Sequence, residues 1–186
     1  MPPTDGDLAR RIALLEDRAE LHELVAVYGR LIDDRDVEGI GAIYTADAVF
    51  DSTAGPVSGR DAVLDYYRGQ LDRYGMTYHY PHSHTVEFTG PDTATGVVSA
   101  HAELAIGDTP FVVALRYLDS YRREDGRWKF HERRAQQLYA APLSELSTVL
   151  QTTLRKRWPG TEPAPADLPE PLPSWQAYAA SRGSAG

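Results

Sequence analysis

The stretch Phe111-Val-Val-Ala-Leu-Arg-Tyr-Leu-Asp-Ser-Tyr-Arg-Arg-Glu-Asp-Gly-Arg-Trp-Lys-Phe130 decides the fold class of this chain. Apolar and polar residues alternate on both sides of Asp125-Gly126, as expected for strands with one buried face. An Asp-Gly pair between two such runs is a strong signal for a tight β-hairpin. We therefore predict two antiparallel strands, over Phe111–Arg122 and Arg127–Tyr139.

The period of two continues on the N-terminal side of this hairpin. Thr77–Thr89 and Thr93–Ile106 alternate in the same way, and turns containing Gly, Pro and Asp separate the four runs. Four successive strands with short connections form an antiparallel meander. A sheet of this kind that curls around helices could enclose a pocket.

Before residue 75 the period changes to 3.6, which predicts helices. Residues 8–33 contain no Pro and repeat apolar residues at three- and four-residue steps, so they form a long amphipathic helix. Asp36–Tyr44 is predicted as a short helix capped by its first residue, and Arg60–Tyr74 as a third helix. Ala48–Phe50 is predicted as a short strand and Pro56–Gly59 as a turn. Helices followed by an antiparallel meander predict an α+β fold.

The last part of the chain differs in composition. Residues 159–173 hold six prolines, which is typical of an extended segment. We predict one domain over residues 1–143, and a C-terminal helix and Pro-rich tail over residues 144–186 that packs on this domain or on a neighbouring subunit. Trp175 and Tyr178 are candidates for anchoring the end of the tail.

Composition excludes several classes of protein. The 186 residues carry a formal net charge of −8, which disfavours binding to nucleic acid or to an anionic membrane. The absence of Cys excludes disulfides and thiolate metal sites. No run of 18 apolar residues occurs, and the acidic N-terminus does not resemble a signal peptide, so we expect a cytoplasmic protein.

The end of the first helix carries the first candidate for chemistry. Tyr28 lies on the apolar stripe, and Asp33 follows five residues later beside Asp34 and Asp36. A carboxylate there meets the negative end of the helix dipole, which raises its proton affinity. The alternative interpretation is structural, because acidic residues solvate turns and cap helices.

The segment Tyr78-His-Tyr-Pro-His-Ser-His84 is the second candidate. Strict alternation places His82 and His84 on one face and His79 on the other, but a bulge near Pro81 would break that parity. Three interpretations stay open: a metal site, structural histidines, or one catalytic histidine.

The segment Phe130-His-Glu-Arg-Arg134 is the third candidate. A strand-borne Arg facing a closed pocket would stabilise an anion or a departing group. Strict alternation from Trp128 turns Arg134, not Arg133, toward that face. The alternative is an exposed strand with alternating charges.

These features, in this order, resemble the SnoaL-like branch of the nuclear-transport-factor-2-like (NTF2-like) superfamily. The resemblance covers roughly residues 10–143, and its segments are Leu15–Tyr28, Asp33–Asp36, Ala42–Phe50, His79–Phe88, Asp92–Thr95 and Tyr121–Phe130. It implies a cone-shaped fold in which three N-terminal helices pack on a strongly curved antiparallel sheet.

Within that branch the pattern is most similar to the dehydratases and dehydrochlorinases, the scytalone dehydratase-like and bile-acid 7α-dehydratase-like enzymes included. The resemblance implies a cofactor-free lyase, commonly a homotrimer, with an Asp–His pair in its pocket. By position the family Asp falls on Asp33, the His on His79, the Tyr or Lys five residues before the Asp on Tyr28, and the pocket Arg on Arg133.

Two family positions are not matched. The extra acid of the bile-acid enzymes falls near Ala102 and the second His of scytalone dehydratase near Leu104, so neither substrate carries over. Arg133 with His131 could be the local replacement. Aromatic and imidazole side chains are the expected substrate-binding wall: Tyr44, Phe50, Tyr67, His82, Phe111 and His131.

The resulting hypothesis is a dehydratase or other β-elimination lyase that acts on a hydrophobic polycyclic, terpenoid or polyketide-like substrate by general acid–base catalysis. We expect no cofactor, no metal, no nucleic-acid or membrane partner, and a homotrimer or homodimer. An isomerase or cyclase of polyketide or steroid type is the first alternative. A non-catalytic binding module, such as an oxygenase small subunit, is the second.

Overall fold

A computed structural model describes residues 4–183 of the chain. Three helices precede most of the sheet: α1 (Asp5–Asp33), α2 (Val37–Ala42) and α3 (Arg60–Leu71). Helix α1 begins with a capping box, in which the Thr4 side chain accepts from the backbone N–H of Asp7 at 3.2 Å. The Asp36 carboxylate accepts from the N–H of Gly39 at 2.8 Å and so starts α2, as predicted.

Six strands form one sheet: β1 (Tyr44–Ser52), β2 (Gly55–Ser58), β3 (Tyr74–Gly90), β4 (Thr93–Ile106), β5 (Thr109–Glu124) and β6 (Arg127–Pro142). The strand order is β2-β1-β6-β5-β4-β3. The predicted meander is confirmed as β3 to β6, all paired antiparallel. The expectation of a wholly antiparallel sheet is wrong in one place, because β1 pairs parallel to β6. The fold class is α+β with helices packed on a curled mixed sheet.

Two local predictions before the meander are also wrong. Pro56–Gly59 is not a turn, because Gly55–Ser58 pairs antiparallel with β1. The turn comes earlier, at Thr53 and Ala54, and Gly55 directly after it has φ of +99°. Helix α3 ends at Leu71, and Tyr74 is the first residue of β3.

Helix α1 packs its apolar stripe against the concave face of the sheet. Leu21, Val25 and Ile32 of the helix are buried, and Trp128 and Phe130 of β6 are buried on the facing side. Each such side chain contributes about 1.5–3 kcal/mol by leaving water. The long helix is therefore fixed on the sheet. Its C-terminal end lies over β3, the strand at the far edge of the sheet.

Three β-bulges change which side chains face the helices. Ser120 of β5 pairs with Glu132 and Tyr121 pairs with Phe130, which leaves His131 as an extra residue. Leu138 of β6 and His82 of β3 are extra in the same way. Because one inserted residue reverses the alternation, strict parity fails beyond each bulge.

The chain after β6 folds back on the same sheet. It contains a 3₁₀ turn (Leu143–Glu145), α4 (Leu146–Val149), the two-residue pair β7 (Leu154–Arg155) and β8 (Ala164–Pro165), and α5 (Pro173–Gly183). Ala166 and Leu168 are buried, whereas the predicted anchors Trp175 and Tyr178 are 46% and 61% exposed. The anchor prediction is wrong, because the buried contacts come earlier in the tail.

Candidate active site

A cavity of about 180 Å³ lies between the helices and the concave face of the sheet. This volume exceeds that of an engineered 150 Å³ cavity that holds benzene. Its wall is mainly aromatic and aliphatic, and the aromatic side chains are Tyr28, Phe50, Tyr66, Tyr67, Tyr74, Tyr117 and Trp158. Such a wall fits a hydrophobic ligand with few polar groups.

Asp33 and His79 meet at the edge of this cavity. The imidazole Nδ1 of His79 lies 2.7 Å from Oδ1 of Asp33, and the backbone N–H of His79 donates to Oδ2 at 2.8 Å. The side chains of His79 and Asp33 are only 16% and 12% exposed, respectively, and His79 lines the cavity. Because one carboxylate binds both the ring and the backbone of His79, the orientation of the imidazole is fixed.

The electrostatics of Asp33 differ from the sequence prediction. Burial raises the pKa of this carboxyl, but the hydrogen bonds and the charge of His79 outweigh burial and leave the pKa below 3.8. The sequence indicated only the helix dipole, which raises proton affinity, whereas the net pKa of Asp33 is lowered because two N–H donors face the carboxylate directly. Asp33 is ionised at neutral pH and orients Nδ1–H, so Nε2 is the basic ring nitrogen.

Tyr28 lies beside the pair and belongs to a chain of phenols. The hydroxyl of Tyr44 lies 2.9 Å from that of Tyr67, which donates to the hydroxyl of Tyr28 at 3.1 Å. Burial raises the pKa of Tyr44 and of Tyr67, so both stay protonated. The rings of Tyr28 and His79 meet edge to face at 6.0 Å. Tyr28 lines the cavity and can donate its proton to a ligand there.

Arg133, not Arg134, points into the molecule, because the bulge at His131 reverses the parity counted from Trp128. The side chain of Arg133 is fully buried, and its Nε and Nη2 donate to Asp119 at 2.8 and 2.7 Å. Arg134 is 58% exposed and pairs with Asp51.

Arg133 is nonetheless not part of the cavity wall. Its Cζ lies 4.2 and 4.1 Å from the ring centres of Tyr28 and Tyr117, and those two rings form the wall in front of it. Its Nη1 has no hydrogen-bond partner among residues 4–183. The guanidinium is a positive charge directly behind the aromatic wall.

The predicted substrate-binding residues divide into two groups. Phe50 and Tyr67 line the cavity. The other four do not: Tyr44 and Phe111 are buried in the core behind the wall, and His82 and His131 lie outside it, His82 against His101 and His131 beside Thr45. We therefore correct these four predictions. Strand alternation was counted without the bulges, and an aromatic side chain can be buried without lining a cavity.

The third histidine of the second candidate segment, His84, lies in a hydrogen-bond chain and does not line the cavity. Nε2 of His84 lies 2.9 Å from the hydroxyl of Tyr121, which donates to Asp119 at 2.8 Å. Asp119 in turn holds Arg133. Across residues 4–183, no three His, Asp or Glu side chains are grouped so that they could hold a metal ion.

Three of the residues that shape the site and that sequence reasoning missed have clear physical roles. Gln137 and Trp158 line the cavity, and Gly29 allows α1 to approach β3 closely. A Cβ at Gly29 would lie 3.1 Å from the Cβ of His79. Gly29 precedes Asp33 by four residues, one helical turn, and that spacing was the available signal. Gln137 was missed because the bulge at His131 reverses the alternation of β6. Trp158 was missed because it belongs to the tail.

The fold and the site together define a class: an NTF2-like α+β protein with a paired carboxylate and imidazole at a mostly apolar cavity. The chain belongs to the SnoaL-like domain family, whose model matches residues 13–134.

Its relatives include enzymes of known name. The chain is 28% identical over 134 residues to the gamma-hexachlorocyclohexane dehydrochlorinase of Sphingobium indicum. The aligned region covers 70% of this chain and 86% of that protein. The structure of the LinA-type3 hexachlorocyclohexane dehydrochlorinase of Novosphingobium barchaimii matches with a TM-score of 0.67 at 25% identity, over 72% and 94% of the two chains. An NTF2-like protein with a cystatin-like fold from Novosphingobium aromaticivorans matches at 28% identity with a TM-score of 0.59, over 73% and 90%.

No helix within residues 4–183 has both the length and the hydropathy needed to cross a membrane.

Proposed function

We propose that this protein is a cofactor-independent lyase that eliminates water or a halide from a hydrophobic small molecule. The observation that carries the proposal is the Asp33–His79 pair, with an Nδ1 to Oδ1 distance of 2.7 Å at the wall of a mostly apolar cavity. Dehydrochlorinases among the relatives share the fold, and an elimination of this kind needs a positioned base.

His79 is the general base in this mechanism. Nε2 takes a proton from the carbon adjacent to an activating group, and the C–H electron pair forms the new double bond as the leaving group departs with its own pair. The imidazolium that results is stabilised by ionised Asp33. A positioned base of this kind accelerates a reaction about 10²- to 10⁴-fold.

Tyr28 and Arg133 stabilise the negative charge that develops on the leaving group. Tyr28 donates a hydrogen bond to a departing halide, where negative charge develops. For loss of water, Tyr28 gives its proton to the departing hydroxyl group and regains one from the His79 imidazolium. Arg133 lies behind the Tyr28 ring, with Cζ at 4.2 Å from its centre, and does not touch the cavity. We assign it a positioning role: it fixes the ring of Tyr28 and adds positive potential behind it.

The test compares variants with a control from the same strand. His79→Ala and Asp33→Asn should each lower turnover at least 100-fold with an unchanged far-UV spectrum, whereas His82→Ala, outside the cavity, should retain it. Suitable probes are gamma-hexachlorocyclohexane, with release of chloride, and bicyclic β-hydroxyketones, with loss of water followed by mass spectrometry. Undiminished turnover in His79→Ala would exclude this mechanism, and a product of unchanged mass would make the protein an isomerase or cyclase.

A further inference from the structure

Gln137 is a buried amide in the mostly apolar wall of the cavity. It is only 5% exposed, and its Oε1 has no hydrogen-bond partner among residues 4–183. Leaving a buried polar atom unpaired is unfavourable, and most such atoms in folded proteins are paired. A partner that arrives with a ligand would account for this atom.

The backbone around Gln137 is held in place. Its N–H donates to Oδ2 of Asp167 at 2.9 Å, and its carbonyl accepts from the N–H of Asp167 at 3.0 Å. Asp167 also pairs with Arg157. The side chain is therefore presented from a fixed point, and the bulge at His131 turns it inward.

The amide and His79 belong to different strands of the same cavity. Gln137 pairs with Leu115 of β5, which pairs with Ala100 of β4, which pairs with Pro81 of β3, two residues from His79. Three strand spacings of about 4.8 Å separate these rows along the curved sheet. A ligand with its reacting carbon at His79 can thus present a second polar group to Gln137 from its far end.

We propose that Gln137 is a specificity residue that binds a hydroxyl group of the substrate, at a distance from the reacting carbon. The terminal torsion of Gln is broad, so either end of the amide can turn to the cavity. A hydroxyl both donates and accepts, and it pairs with either end. The proposal rests on the proposed function for the location of the reacting carbon, and it narrows the substrate to a hydroxylated, mostly hydrophobic molecule.

Two independent measurements test this role, with Gln137→Met as the variant because Met has a similar length and no polar atom. Equilibrium dialysis of naphthalene and 2-naphthol gives the affinity ratio. The unmodified protein should bind 2-naphthol about 2- to 10-fold more tightly, and Gln137→Met should bind the two compounds equally. Without ligand, Gln137→Met should have a Tm about 2–4 °C higher, because an unpaired amide has been removed.

Gln136→Met, the neighbouring residue outside the cavity, is the matched control and should change neither quantity. His79→Ala should keep the preference for 2-naphthol even though it loses turnover, so the two proposals can fail separately. The proposal is overturned if the unmodified protein binds neither compound or shows no preference, if Gln137→Met keeps the preference, or if its Tm falls as a purely structural role requires.

Discussion

Gly29 is where one residue controls the distance between α1 and the catalytic candidate His79. A Cβ added there would lie 3.1 Å from the Cβ of His79, closer than most van der Waals contacts. Gly69 of α3 is the natural comparison, because it lies in a helix with nothing within 4 Å of an added Cβ.

We expect Gly69→Ala to raise the free energy of unfolding by about 0.4–1 kcal/mol through helix propensity alone. Gly29→Ala should raise the free energy of unfolding by less than this, because the added Cβ is too close to His79. It should also lower turnover, because His79 must move away from Asp33. Urea unfolding and the elimination assay measure the two effects. Equal stabilisation of both variants with full turnover would show that the close approach has no role.

Asp119 neutralises a fully buried charge. Both its side chain and that of Arg133 are 0% exposed, and the pair is bidentate. Although burial by itself would lower the pKa of Arg133, Asp119 keeps that pKa raised, so the guanidinium stays charged.

Asp119→Ala should therefore lower the free energy of unfolding by about 3–5 kcal/mol, because it leaves an unpaired buried cation. Asp51→Ala, which removes the partner of the exposed Arg134, should cost less than about 1 kcal/mol. Chemical denaturation of both variants measures the difference in the free energy of unfolding. Similar small losses in both variants would contradict the claim that Asp119 neutralises a buried charge.

At the scale of elements, β-bulges explain where sequence reasoning succeeded and failed. The long helix and the four meander strands were predictable because their periodicity is strong, and β4 was predicted with its observed bounds. The Asp33–His79 contact was accessible through the family resemblance. The inward position of Arg133 and of Gln137 was not accessible from alternation, because an inserted residue reverses a strand's parity without any sequence signal of its own.

The parallel β1–β6 pair and the tail were beyond reach for a different reason. Both depend on contacts between segments far apart in the chain, and no local period encodes them. Ala140 of β6 donates to the carbonyl of Lys156, and Asp167 pairs with the backbone of Gln137. The tail thus contributes Trp158 to the wall of the cavity.

Asp167→Ala tests this attachment. This substitution removes the acceptor of the Gln137 N–H and the partner of Arg157. We therefore expect the free energy of unfolding to fall by about 1–3 kcal/mol and the amide hydrogen of Gln137 to exchange faster. Asp65→Ala, which removes an exposed pair with Arg68, is the control and should change neither. Unchanged exchange in Asp167→Ala would mean that the tail does not hold β6.

At the scale of the whole molecule, the buried network between α1 and the sheet makes stability depend on pH. Burial, with the nearby charge of His22, lowers the pKa of His84 from 6.5 to about 4. Between these two values the unfolded chain binds a proton that the folded chain does not, so stability falls as pH decreases through this window.

We expect a loss on the order of 2 kcal/mol from His84 between pH 6.5 and 4. His84→Gln, which keeps a hydrogen-bonding group near Tyr121 but does not titrate, should flatten the curve in this range. Denaturation at a series of pH values measures the slope. An identical slope in His84→Gln would assign the pH dependence to other groups.

The central claim is that ionised Asp33 holds the His79 ring with its proton on Nδ1, so that Nε2 can accept a proton from the substrate. The most direct measurement is ¹⁵N NMR of the His79 imidazole at pH 8, in the unmodified protein and in Asp33→Asn. We expect the Nδ1–H tautomer in the unmodified protein and its partial loss in the variant. A proton on Nε2 of His79 in the unmodified protein would contradict the account, since that nitrogen would have no free electron pair.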